Sequence, residues 1–97
     1  MSAQPDQIVH QPVRLKVLAT LRALPDGESL EFVQLKGIVD TTEGNLGAHL
    51  TTLEGAGYVE VNKDFHQRRP RTRIRLTTRG RRALEDYVSY LRGIVDS

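Results

Sequence analysis

The chain has 97 residues, no cysteine and a formal net charge of only +2. Without cysteine, disulfide scaffolds, thiolate metal sites and thiol catalysis are excluded. No apolar run approaches the length of a membrane span, and Met1 to Gln11 lacks the basic-then-apolar order of a secretory signal, so a single cytoplasmic domain over residues 1–97 is expected.

The small net charge hides an asymmetry. Between Glu60 and Arg82 nine basic residues face two acidic ones, a balance of +7, while the rest of the chain holds five basic against ten acidic residues, a balance of −5. A cationic block on an otherwise acidic chain points to a polyanionic partner.

In chain order, residues 1–8 are polar and expected to be flexible, leading into Ile8-Val9-His10 as a short structured start. Pro12 suits a first helical position, where its missing N–H costs nothing. Leu15, Val17, Leu18, Leu21 and Leu24 then form the stripe of an amphipathic helix, ended by the turn Pro25-Asp26-Gly27. Glu28 to Leu30 reads as a single bridging strand. Phe32, Leu35, Ile38 and Val39 mark a second helix, stopped at Asp40, a residue that tolerates the left-handed conformation.

The third helix, 42–55, starts with Thr42 as N-cap. Leu46, Leu50 and Leu53 recur at i, i+4 and i+7, giving one apolar stripe. Gly55 or Gly57 can supply the left-handed residue that ends it. The opposite face carries Gly44, Asn45, Ala48, Thr51 and Thr52, with His49 at its flank, and has little bulk and almost no charge. Two helices joined by a turn of about three residues have the spacing of a helix-turn-helix, and a small, hydrogen-bonding outer face suits the B-DNA major groove.

After Gly57 the period changes to two. Tyr58, Val59 and Val61 read as one strand, and Thr72 to Thr77 as another, with Ile74 and Leu76 on one face and Arg73 and Arg75 on the other. Asn62 to Arg71 between them is expected to be a long polar loop, the cationic tip of a wing. Thr77 or Thr78 caps a last helix to about Val95, whose apolar positions Leu84, Tyr87, Val88, Leu91, Ile94 and Val95 outrun what one small core can cover. The architecture expected is mainly α with a small β-hairpin, in the order helix-helix-helix-wing-helix.

At this point Pro12-Val13-Arg14-Leu15, Gly44-Asn45-Leu46-Gly47-Ala48-His49-Leu50, Leu53-Glu54-Gly55-Ala56-Gly57-Tyr58-Val59-Glu60 and Leu76-Thr77-Thr78-Arg79-Gly80 resemble the small winged-helix transcriptional regulators of the ArsR/MarR/PadR broad group. The likeness is greatest to a short stand-alone subgroup with a T-x-G-N-L-x-x-H-L recognition helix. It implies a homodimer on a near-palindromic operator. In the ArsR pattern Ser-Arg-His-Leu approaches DNA; His49 keeps the histidine, while Gly47 and Ala48 replace the serine and arginine. With the ArsR cysteines absent, no metal sensing carries over.

The DNA-binding residues expected are Thr42, Gly44, Asn45, Gly47, Ala48, His49 and Thr52 on the helix and Arg68, Arg69, Arg71 and Arg73 on the wing, the latter on phosphates or in a minor groove. Arg79, Arg81 and Arg82 open the last helix against its dipole and are expected to pair with Glu85 and Asp86 or to add phosphate contacts. The surplus stripe of helix 78–95, namely Tyr87, Tyr90, Leu91 and Ile94, with Ile8 and Val9 of a second copy, forms the expected dimer seam. His10 and His66 are isolated, and no cofactor, metal site or catalytic constellation is expected. The alternative is a winged helix that docks proteins without binding DNA.

Overall fold

Each long helix begins where a side chain takes over backbone N–H groups. Described over residues 5–96, the computed structural model contains α1 (Gln7–His10), α2 (Pro12–Arg22), β1 (Ser29–Glu31), α3 (Phe32–Val39), α4 (Glu43–Gly55), β2 (Val59–His66), β3 (Arg69–Leu76) and α5 (Thr78–Val95). Gln11 caps α2 through the Arg14 N–H (2.8 Å), Thr42 caps α4 through that of Asn45 (3.1 Å), and Thr77 caps α5 through that of Gly80 (2.9 Å). Asp40 ends α3 in the left-handed region (φ 53°). After α4 the Tyr58 N–H returns to the Leu53 carbonyl and the Gly57 N–H to that of Glu54, with Gly57 at φ +78°. This is the paired-bond ending that needs glycine at that position.

The strands form one antiparallel sheet in the order β1-β3-β2. The bridging strand is therefore one residue later than expected, and it covers the far edge of β3. The larger difference lies in the wing. Asn62 to Arg71 is not a loop: β2 and β3 pair from Val59↔Leu76 out to His66↔Arg69. Only Gln67 and Arg68 make the turn, both at positive φ (51° and 66°), the two-residue geometry that matches strand twist. Both strands outrun the core, so their outer halves lose the alternation of buried and exposed residues that would reveal a strand in sequence.

One core cluster joins every element except the wing's outer half. Val17, Leu18 and Leu21 of α2, Leu35 and Val39 of α3, Leu46, Leu50 and Leu53 of α4, and Val59, Ile74, Leu76, Leu84 and Tyr87 are all buried. Burying each such side chain contributes about 1.5–3 kcal/mol. Val9 of α1 is fully enclosed as well. Asp6 caps α1 and accepts a 2.5 Å hydrogen bond from the Tyr58 hydroxyl, and the His10 ring meets the Tyr87 hydroxyl at 2.6 Å. The expected flexibility of residues 1–8 thus meets a pinned segment from Asp6 onward, and residues 1–4 lie outside those described. Gly80 is where α5 crosses the turn after α4. A Cβ there would run into the Tyr58 carbonyl, the same carbonyl that accepts from the Thr77 N–H at 3.1 Å.

Candidate nucleic-acid interface

The leucine stripe turns one side of α4 inward and fixes what its other sides present. Gly44, Asn45, Ala48, Thr51 and Thr52 are exposed, with Gly47 and His49 half-buried at either edge. The polar groups on this face are largely satisfied within the helix. Thr51 and Thr52 donate to the carbonyls of Gly47 and Ala48 at 3.0 and 3.3 Å. Asn45 Nδ2 donates to Thr41 Oγ1 at 2.8 Å, which leaves its second amide hydrogen and Oδ1 unengaged, the donor–acceptor pair that matches adenine N7 and N6. No lysine or arginine lies in α4 itself, so cations must come from its neighbours.

His49 is set from α2. Arg14 donates from Nε to the Ile8 carbonyl (2.7 Å), and its Nη1 stands 3.4 Å from His49 Nδ1. A guanidinium has no acceptor, so Nδ1 must face it with a lone pair and the ring proton must sit on Nε2. Burial, and then the Arg14 charge, lower the His49 pKa from 6.5. The neutral imidazole therefore keeps Nε2–H as its free donor.

The hairpin has two faces because side chains alternate along a strand. Val61 and Ile74 point to the core, and one rung farther out Lys63 and Thr72 reach an open cleft of about 470 Å³. The other wall of that cleft is α4, through Glu43, Gly47, Thr51 and Glu54. The opposite face carries Glu60, Asn62 and Asp64 of β2 across from Arg75, Arg73 and Arg71 of β3. Here the arginines are already engaged. Arg71 holds both Asp64 oxygens at 3.0 Å, Arg73 adds a third bond at 3.1 Å, and Arg75 pairs with Glu60 at 2.6 Å. The Arg71 hydrogen bond holds the Asp64 carboxyl below its usual 3.8, and the same bond raises the Arg71 pKa. Among the described residues Lys63, Arg68 and Arg69 have no ion-pair partner.

The structure thus brings Gly44, Asn45, Gly47, Ala48, His49 and Thr52 onto one helix, with Thr42 at its start and Arg68 and Arg69 exposed on the hairpin that forms the far wall. Arg71 and Arg73 stand instead on the far face, tied to Asp64. Sequence reading missed Asp64, Arg14 and Lys63. The cross-strand partner of Arg71 becomes readable only once the turn is placed at Gln67-Arg68. Of the expected pairing of Arg79, Arg81 and Arg82 with Glu85 and Asp86, Arg81 and Glu85 take longer-range partners instead. Arg81 binds Asp26 at 2.8 Å, and Glu85 takes Arg22 at 3.4 Å.

On α5 the stripe divides. Tyr87 is 5% exposed and Val9 fully enclosed, so both serve the protomer's own core, and Ile8 packs against it. Tyr90 is half-buried beside Tyr87, with ring centroids 6.3 Å apart. Val88, Leu91, Ile94 and Val95 remain exposed. Among the described residues no helix is long and apolar enough to cross a membrane, and no group of three or more histidines, cysteines or carboxylates could hold a metal.

Residues 13–95 match the family described as winged helix DNA-binding domain. The chain is 40% identical over 82 residues to the uncharacterized protein MJ0432 of Methanocaldococcus jannaschii, covering 84% of this chain and 86% of that one. Among solved structures, a transcriptional regulator homologue from Pyrococcus horikoshii OT3 superposes with a TM-score of 0.84 at 31% identity, over 94% of this chain and 87% of that one. A MarR family transcriptional regulator from Silicibacter pomeroyi shares the fold at 24% identity and a TM-score of 0.71, over 92% of this chain and 57% of that one.

Proposed function

The chain belongs to the winged helix DNA-binding domain family and is a DNA-binding transcriptional regulator, and from that premise we propose how it holds a duplex. Helix α4 enters the major groove with its bare face forward. The hairpin tip lies against the neighbouring backbone or minor groove, so that binding is sequence-specific through α4 and electrostatic through the wing. The observation that carries this reading is the shared cleft. Its α4 wall sets Gly47 and Thr51 between Glu43 and Glu54, its hairpin wall carries Lys63, and the hairpin runs on past the cleft to the unpaired Arg68 and Arg69 at its tip.

Within that arrangement Asn45 reads adenine with its free amide hydrogen and Oδ1. His49 donates Nε2–H to a base acceptor or phosphate, with Arg14 as the residue that orients it. Ala48 suits a thymine methyl group, and the close approach of α4 is allowed by Gly44, Gly47 and Thr52. The backbone conformation of the tip supports a role for Arg68 beyond the turn. A left-handed arginine costs roughly 1–2 kcal/mol relative to glycine, and such strain persists where the side chain has a use.

The working unit is a homodimer. Leu84 and Tyr87 are spent on the protomer's core, yet the α5 stripe runs on through Val88, Leu91 and Val95, all exposed. A two-fold seam there would set two α4 helices on half-sites roughly 34–36 Å apart along a near-palindrome. The family and fold are those of regulators rather than enzymes, and a DNA partner suits a cytoplasmic location.

The test is selection of bound duplexes from a random pool by the full chain, followed by the same selection with Asn45→Ala. Wild type should recover a two-fold symmetric site, and the variant should relax preference at one or two base pairs in each half. Recovery of unenriched sequence by both proteins would remove specific readout. For the dimer, Leu91→Asp should halve the mass in sedimentation equilibrium, and an unchanged mass would move the seam elsewhere.

A further inference from the structure

The wing carries an apolar pair that neither the core nor any ion pair uses. Phe65 is 76% exposed, and it stands directly across the hairpin from Pro70, which is also exposed. By strand alternation the pair belongs to the face that carries Lys63 and Thr72 toward α4, one rung farther out, about 7 Å along the strand. One rung beyond it, at His66 and Arg69, the chain turns through Gln67 and Arg68, so the pair sits close to the end of the two-stranded finger. Lys63 stands one rung inward on the same face and Arg68 follows in the turn, both exposed and without an ion-pair partner among the described residues, so a cation lies on either side of the pair along the hairpin.

A phenylalanine on a solvated strand gains nothing from water, and its register partner is a second exposed apolar side chain. Charge complementarity settles what covers it. Cations on both sides of a small apolar pair fit a partner that is anionic at its edges and apolar between them. A duplex minor groove is such a surface, with phosphates along the rims and stacked bases at the floor. Apolar side chains of this kind, phenylalanine and proline included, enter minor grooves between base steps and kink the duplex by 20–90°.

We infer that Phe65, backed by Pro70, is a wedge that bends the DNA on each side of the sequence read by α4. This inference rests on the duplex-binding reading above and adds an activity to it: the bound operator is deformed as well as recognised. The sequence preference that follows is indirect. Pyrimidine–purine steps unstack most easily, so one such step should be favoured where the wing falls, outside the bases that α4 touches.

The experiment uses the full chain and a duplex recovered from a random pool, labelled with a fluorophore at each end. Binding is read by anisotropy and end-to-end distance by energy transfer on the same sample. Wild type should bind and shorten the end-to-end distance by an amount corresponding to a bend of at least about 20°. Phe65→Ala should still bind but leave the duplex nearly straight, and Phe65→Leu should restore much of the bend. Because Phe65 is exposed, neither variant threatens folding. Replacing Arg68 and Arg69 by alanine should flatten the salt dependence of binding while the complexes that form remain bent. A duplex that wild type binds without bending, or one that Phe65→Ala bends as far as wild type does, overturns the wedge and leaves duplex binding intact. A failure of wild type to bind any duplex would remove the reading beneath it as well.

Discussion

The middle rungs of the β2–β3 hairpin and its tip carry similar cations and end with opposite electrical characters. On the face away from α4, Arg71, Arg73 and Arg75 each meet a carboxylate of β2 within 3.1 Å. On the face toward α4 and at the tip, Lys63, Arg68 and Arg69 meet none among the described residues. The +7 block seen in the sequence is therefore not one cationic surface. Glu60 and Asp64, its only two acidic residues, sit where strand register sets them against arginine, and they leave Lys63 on the side toward α4 and Arg68 and Arg69 at the tip as the hairpin's uncompensated cations. Which cations are available to a phosphate is decided by pairing, not by their number.

The comparison can be broken most severely by placing the same new charge in both regions. Ala48→Asp puts a carboxylate on the face proposed to enter the major groove and should weaken duplex binding on the order of a hundredfold, since like charges set against each other at an interface cost several kcal/mol. Asn62→Asp adds the same charge beside Arg73 on the far face and should change affinity by less than about threefold. Equal losses in a titration of labelled duplex would erase the distinction between the faces.

Asp64→Asn goes the other way, by releasing Arg71 and Arg73. Binding to unrelated duplex should tighten, and the slope of log affinity against log salt should steepen by up to about two units, roughly 0.9 per phosphate gained. An unchanged slope would mean that the freed guanidinium groups reach no phosphate. The tip offers a smaller and more local effect. Converting Gln67-Arg68 to Asn-Gly relieves two left-handed side chains and should raise stability by about 1–2 kcal/mol, while lowering the salt slope by about one unit. Denaturant unfolding measures the first and duplex titration the second. If neither moves, the turn is not strained and Arg68 is idle.

The smallest expected effect is protonic. A carboxyl whose folded pKa is depressed contributes stability above its unfolded value and loses it as pH falls through the folded one. The Asp64 clamp should accordingly persist at pH 3.8 and release below it. Carboxyl-carbon NMR should show that midpoint moving back toward 3.8 in Arg71→Ala. A midpoint already at 3.8 in wild type would mean the pair is not formed in solution.

What the sequence disclosed was the local and the periodic. Thr42, Asp40 and Thr77 act on backbone groups within a few residues of themselves, so their roles are visible without a fold. The leucine stripe of α4 and the alternation from Arg73 to Leu76 are likewise imprinted by burial. The outer hairpin was misread as a loop because beyond Val61 and Ile74 there is no core to impose a pattern, and because the turn uses glutamine and arginine where glycine or asparagine would have signalled it. Long-range pairs were hidden for a different reason. Arg81 with Asp26, Arg14 with His49, and His10 with Tyr87 join residues distant in the chain. Val9 and Tyr87, expected at a seam, are claimed by the core because α1 folds back onto α5, a placement that periodicity does not contain.

The most direct measurement is the salt dependence of duplex binding for two double variants made in the same wing. Arg68→Ala with Arg69→Ala should flatten the slope by nearly two units, and Arg71→Ala with Arg73→Ala should leave it close to that of wild type. A slope lost in the second pair and kept in the first would contradict the account, because it would place the phosphates at the arginines that Asp64 already holds and not at the free tip.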